Sequence, residues 1–262
     1  MKKIYIHTDL EGISGIDKGE MVKAGLSVNS EYVTQRLMAD VNAAADGAFL
    51  GGADHVTVLD SHGGGGNFDL NLLDKRAEFD TKPNKKWWGI LDASYYGSFF
   101  IGAHGMAGTL HGFLDHTQSS ATIYNYYVNG RKMGELAQWA MVCGHYDVPL
   151  IMMSGDTASV SEAAQFFAGI ETVAVKTGIS RTGAKLIPNE DAVENIRQAA
   201  KTAVEKDKSD SPKPFKPLLP MEVKIEFTRA DYCDYVETVP NIERLDARTA
   251  RIIAQSYQDF WF

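Results

Sequence analysis

Cysteine is scarce in this chain of 262 residues: Cys143 and Cys233 lie far apart and form no CxxC pair. That excludes zinc-ribbon and thioredoxin-type signatures and leaves two reduced, structural thiols. No run approaches the ~18 consecutive apolar residues of a membrane span, and no apolar leader precedes the first strand, so a cytoplasmic protein is expected. Basic charge is short as well. Lys and Arg total 26 against 34 Asp and Glu, a net charge of −8. Neither nucleic acid nor an anionic membrane is therefore an expected partner, because both reward clustered Lys and Arg. Proline is sparse and concentrated, with Pro212, Pro214, Pro217 and Pro220 among the eight present. No internal repeat is visible.

What remains is an ordinary globular composition, 44% hydrophobic and 23% charged, with enough length for an ample core. A β-rich run, Ile4-Tyr5-Ile6, opens the chain, and a helix capped by Asn29 or Ser30 follows to about Ala48, with Tyr32, Leu37, Val41 and Ala44 as its stripe. Gly51-Gly52 ends it, and His55–Leu59 reads as a buried strand. Strand, helix and strand at this spacing form a βαβ unit with parallel pairing. Leu70, Leu72 and Leu73 suggest a short helix, and Trp87-Trp88 suggest packing on the sheet or a neighbouring subunit. Further strands are expected at 98–102, 148–153 and 172–175, and helices at 135–145, 157–168 and 189–206. The alternation in 122–128 before Asn129-Gly130 suggests an antiparallel excursion.

The fold class is therefore α/β: a mostly parallel central sheet flanked by helices, with a smaller C-terminal α+β portion. Its division is a core of residues 1–205, a Pro/Lys-rich linker of 206–220, and a C-terminal portion of 221–262 packing on the core. That last portion holds a strand at 221–227 and a helix at 246–258, before the aromatic end Phe260-Trp261-Phe262.

Three strand ends carry potential metal ligands followed by glycine: Asp9-Leu10-Glu11-Gly12, Asp60-Ser61-His62-Gly63 and His104-Gly105. Side chains alternate along a strand, so Asp9 and Glu11 are expected on one face, where two like charges call for a cation between them. Each motif alone also reads as solvated acids or a capped histidine. Their convergence carries more weight, because open α/β sheets bind ligands outside the carboxyl ends of their strands. Glu135 adds a carboxylate at a helix start, a place the helix dipole also favours without any metal. Five donors of mixed N/O type suit zinc, manganese or cobalt, and they exceed what one catalytic zinc with an open position needs. Two metals sharing a carboxylate would accommodate them.

At these residues the chain resembles the bacterial zinc-dependent D-aminopeptidases of dipeptide permease operons. The Asp9-x-Glu11-Gly12 opening, Asp60-Ser61-His62, Gly102-x-His104, His116 and Gly134-Glu135-Leu136 carry the resemblance, and a weaker match at Val175–Arg181 extends it to about residue 205. It implies Asp9, Glu11, His62, His104 and Glu135 as ligands of two zinc ions per chain, with Asp9 as bridge and His116 as the catalytic histidine. It also implies a hydrolase that removes the N-terminal residue of short peptides, D-amino-acid peptides included, and a homodecamer enclosing a chamber. His7-Thr8 stands where the family tends to carry Ser-Val, and Gly63–Gly66 is unusually glycine-rich; both differences touch substrate choice more than metal binding. The competing readings are a two-metal phosphoesterase or other amidohydrolase, and a non-catalytic oligomeric metal-binding protein. His55 and His145 read as structural and His111 as a pocket candidate. For Lys176 and Arg181, surface or subunit ion pairing is favoured over holding a peptide carboxylate.

Overall fold

A computed structural model describes residues 1–22 and 30–259. Its elements run β1 (Lys3–Thr8), α1 (Ser30–Leu50), β2 (His55–Asp60), β3 (Glu78–Phe79), β4 (Gly97–Ala103), β5 (Ile123–Val128), β6 (Arg131–Lys132), α2 (Glu135–His145), β7 (Leu150–Asp156), α3 (Thr157–Phe166), β8 (Glu171–Ser180), β9 (Gly183–Leu186), α4 (Asn189–Glu205), β10 (Met221–Phe227), α5 (Ala230–Asp234), β11 (Glu243–Arg244) and β12 (Thr249–Ala254). Seven strands form one sheet in the order β3-β2-β1-β4-β7-β8-β9, parallel except for the terminal β8–β9 hairpin. A second, antiparallel sheet runs β11-β12-β10-β5-β6. The expected α/β class holds, and the second sheet joins the predicted excursion to strands from beyond residue 220.

Alternation along β1 explains the layering. Ile4 and Ile6 pack with α1 and α4 on one face of the large sheet, while Tyr5 faces α2 and the second sheet. His7 follows Tyr5, stacking on Trp139 of α2 at 4.2 Å. Slipping β1 by one residue would exchange these two faces and strand about 1.5–3 kcal/mol of burial per large apolar side chain. Register is thus set by the core, and with it the position of the residues that follow β1. Helix α2 is buried at every residue from Leu136 to Gly144, as a helix wedged between two layers must be. Helix α4 instead buries only Ala192, Ile196, Ala200, Ala203 and Val204, the single stripe of a surface helix.

Several expectations are corrected. Residues 70–73 form turns, with Leu70 and Leu72 exposed; Asp69 accepts the Asn71 N–H through its side chain, a local bond that competes with helix formation. Residues 246–258 hold β12, where the expected helix gives way to a strand paired along β10, with Ala250 and Ala254 inward. The strand expected at 172–175 continues to Ser180 and turns into β9. Tyr32, expected in the buried stripe of α1, is exposed, while Leu37, Val41 and Ala44 are buried. The helix expected over 189–206 runs from Asn189 to Glu205, with Pro188 and Lys206 at its cap positions. Asn29 and Phe260–Phe262 lie outside the described residues.

From β1 the chain moves toward β2 on one side, and from β4 toward β7 on the other. The strand order therefore reverses between β1 and β4, and α/β sheets open a crevice at such a reversal. The turn leaving β1 is locked there: Asp9 N donates to Ile101 O and Gly12 N to Gly102 O, both at 2.8 Å. A Cβ on Gly12 would stand 2.0 Å from the Ala103 carbonyl oxygen, so no side chain fits. Gly12→Ala is expected to cost about 3 kcal/mol through this backbone clash. Thermal unfolding checks it, and an unchanged midpoint would contradict the clash.

Candidate metal centre

The described residues include two clusters of His and carboxylate donors whose ligand atoms lie within 4.8 Å of one another: Asp9, Glu11 and His62, and His104, His116 and Glu135. Asp9 follows β1, His62 follows β2, His104 follows β4, and Glu135 opens α2. Asp9 and Glu11 thus lie in the turn just past β1, beyond the strand expected to present them, and still meet on one side. All six predicted site residues are brought together.

Asp9 joins the clusters. Its Oδ1 is 2.9 Å from His62 Nδ1, and its Oδ2 is 3.3 Å from His104 Nε2. Glu11 Oε2 lies 3.1 Å from His62 Nδ1, and Glu135 Oε1 lies 3.5 Å from His104 Nε2 and 3.6 Å from His116 Nε2. The His104 and His116 rings stack 4.1 Å apart. His104 Nδ1 donates to the Gly105 carbonyl at 3.1 Å and His116 Nδ1 to the Leu114 carbonyl at 2.7 Å. Each ring therefore turns a bare Nε2 inward, the arrangement that orients metal-binding imidazoles. His104 Nε2 and Glu11 Oε2 are buried and make no hydrogen bond. Buried polar atoms without partners are costly, and a cation at each cluster would satisfy them. The donors thus fit a pair of metal ions.

The titration pattern carries the same message. Burial works against the charge on His62, but its hydrogen bond to Asp9 and the negative charge of Glu11 beside it overcome it and push the ring up to about 11. Burial would raise Asp9 too, yet His104 and His62 hold it well below the usual carboxylate range. Both shifts show that this donor set calls for positive charge. His7, by contrast, is lowered to about 4, by burial first, against the pull of Asp9 and Glu135; it is a neutral wall.

Asp9, His62, His116 and Glu135 border a cavity of about 480 Å³ whose far wall is Trp87, Trp139 and His7. Trp88 is the more deeply buried of the tryptophan pair, while Trp87 meets Trp139 edge-on at 6.1 Å. Gln118 ties the rim: its N–H donates to Glu135 Oε1 at 2.7 Å and its amide to Gln138 Oε1 at 2.6 Å. Gly63 to Gly66, all at positive φ, carry the chain past His62. Asp60 stays outside the clusters and binds the Asn67 and Phe68 N–H groups of that loop.

Other expectations fall differently. His111 is exposed, held to the Ile179 carbonyl, and borders no part of the cavity. His55 pairs with Glu78 on the sheet, a structural role. Lys176 is not at a surface: it is 1% exposed and donates Nζ–H to the Glu11 carbonyl at 2.7 Å. Sequence reading missed Glu162, Gln118 and Gln138, which carry no motif signal because they reach the site only through tertiary packing.

An α/β sheet with two carboxylate–histidine clusters at its switch point is built for metal-dependent hydrolysis. The pattern of the peptidase M55 family, described as D-aminopeptidase, matches residues 1–261. The D-aminopeptidase of Bacillus subtilis (strain 168) is 32% identical over 246 residues, spanning 92% of this chain and 87% of that protein. The solved structure described as "Zn-dependent D-aminopeptidase DppA from Bacillus subtilis, a self-compartmentalizing protease" matches with a TM-score of 0.91 at 29% identity, over 98% of this chain and 93% of that one. The chain belongs to this D-aminopeptidase family and is a metal-dependent aminopeptidase. No helix among its described residues is long and apolar enough to cross a membrane.

Proposed function

We propose that the protein removes the N-terminal residue of short peptides, D-amino-acid peptides included, with two zinc ions per chain held by Asp9, Glu11, His62, His104 and Glu135. The observation that carries this reading is Asp9, whose two carboxylate oxygens face two different histidines. When bound, the ions supply Lewis acidity and make water nucleophilic near neutral pH. Manganese and cobalt suit the same donors.

The chain's own groups supply the rest. His116 keeps Nδ1–H on the Leu114 carbonyl, so its bare Nε2 is free to take the proton of the attacking water and return it to the leaving amine. The cavity would hold the substrate's free α-amine beside the centre, which confines cleavage to N-termini. Trp87 and Trp139 give the substrate side chain an apolar bed, and the cavity volume suits a molecule of dipeptide size.

The name of the structural neighbour, a self-compartmentalizing protease, supports assembly of this chain into a homo-oligomer, and we place it as a cytoplasmic homodecamer. Leu110 and Ile179, exposed at 82% and 64%, are large apolar side chains for such contacts. We also retain a core of residues 1–205, a linker of 206–220 and a C-terminal portion of 221–262, a division supported by the docking of β10 on β5.

Metal analysis followed by assays on D- and L-aminoacyl anilides, beside a phosphoester, tests the activity. Two zinc ions per chain and cleavage of an aminoacyl anilide are expected, with activity lost to a chelator and restored by zinc. Phosphoester cleavage alone by fully loaded protein would overturn the reading.

A further inference from the structure

Two buried ionisable groups of opposite charge stand behind the centre, outside its donor set, one at each half. Lys176, on β8, is 1% exposed, and its ammonium lies 4.8 Å from the centre of the Phe113 ring. Its hydrogen bond to the Glu11 carbonyl ties β8 to the turn of residues 9–12, which also bonds the main chain of β4. Asp40 and Asp156 balance its charge from neighbouring elements, but burial prevails and draws it down to about 7. A lysine is buried at this depth only when it has a specific partner, and here that partner is the main chain of a proposed ligand.

Glu162, on α3, is 3% exposed. Its Oε2 accepts the Met106 N–H at 2.9 Å, two residues past His104. Its Oε1 lies against Gly134, so close that a Cβ there would stand 2.6 Å from it, one residue before Glu135. One carboxyl thus spans the two segments that present His104 and Glu135. Burial pushes it up to about 7, against the Met106 N–H.

Resting on the dinuclear reading above, we infer that Lys176 and Glu162 are positioning residues with divided duties: Lys176 orients the half formed by Asp9, Glu11 and His62, and Glu162 the half formed by His104 and Glu135. Neither touches substrate. Each sets metal affinity at its own half, because groups that orient ligands tune the ion behind them.

Zinc titration of the metal-free full-length protein against a chromophoric chelator separates the halves. His104→Ala leaves the Asp9 half as the main zinc site, and His62→Ala leaves the His104 half. Lys176→Met, which keeps the stem and removes the donor, is expected to weaken zinc about ten- to a hundredfold in the His104→Ala protein. In the His62→Ala protein it should change affinity by less than about twofold. Glu162→Ala should show the reverse pattern, and Glu162→Gln, which keeps an acceptor for Met106, should recover most of the loss. Should Lys176→Met fail to fold, Lys176→Gln serves in its place with the same expected selectivity. Equal weakening in both backgrounds, or none in the matching one, would overturn the division of duties. Wild-type protein that binds fewer than two zinc ions would instead strike at the dinuclear reading, and this inference would fall with it.

Discussion

Replacing Asp9 with alanine is expected to strip both metal ions from the chain. Its two oxygens serve two histidines, His62 at 2.9 Å and His104 at 3.3 Å, so neither cluster is complete without it. Asp9 and Glu11 are each 6% exposed, so removing the Asp9 carboxylate leaves buried donors without the anion they share. A metal centre contributes several kcal/mol to the transition state, so turnover should fall by at least about a thousandfold. Glu11 touches the centre differently: its carboxylate meets His62 and not His104. Glu11→Ala should therefore lose mainly one ion. Metal content per chain distinguishes the two variants. If each variant loses one ion and leaves the other in place, Asp9 is not a bridge.

His116→Ala is expected to lower turnover by about 10²–10⁴-fold, the range for loss of a positioned acid/base, while two ions per chain remain. The geometry makes this a sharp test, because His116 Nε2 lies 3.6 Å from Glu135 Oε1 and its ring stacks on His104. The same position would suit a ligand. Loss of one ion together with activity would make His116 part of the coordination shell. Retained turnover would remove it from the chemistry altogether. Anilide assays paired with metal analysis on one preparation decide among these outcomes.

Much of the centre was legible because its donors end strands or open a helix. Asp9, His62 and His104 each sit one or two residues past a β-strand that reads clearly from its apolar run. A parallel sheet places such ends side by side, so convergence followed from topology alone. Glu135 was legible as a helix start, where its cap-like position and its orientation toward His104 coincide. Lys176 was misread, since lysine is most often a surface residue and nothing local reveals that β8 runs on past Val175 and turns the Lys176 side chain inward. Residues 246–258 were misread for a related reason. Their residue types allow a helix, but β10 offers an open edge, and pairing along it decides the outcome.

By itself, then, the sequence determined the α/β class, the donor types of the five proposed ligands and the absence of thiol-based metal or redox motifs, while His116 entered through the family resemblance. Those depend on periodicity, residue type and chain order, which are local and one-dimensional. Only the tertiary structure decided that Asp9 divides its two oxygens between clusters, that His104 and His116 turn bare nitrogens inward, and that Lys176 and Glu162 stand behind opposite halves. These depend on ångström-scale distances between segments as much as 165 residues apart. Such distances are set by the joint packing of two sheets and their helices, which no stretch of sequence encodes alone.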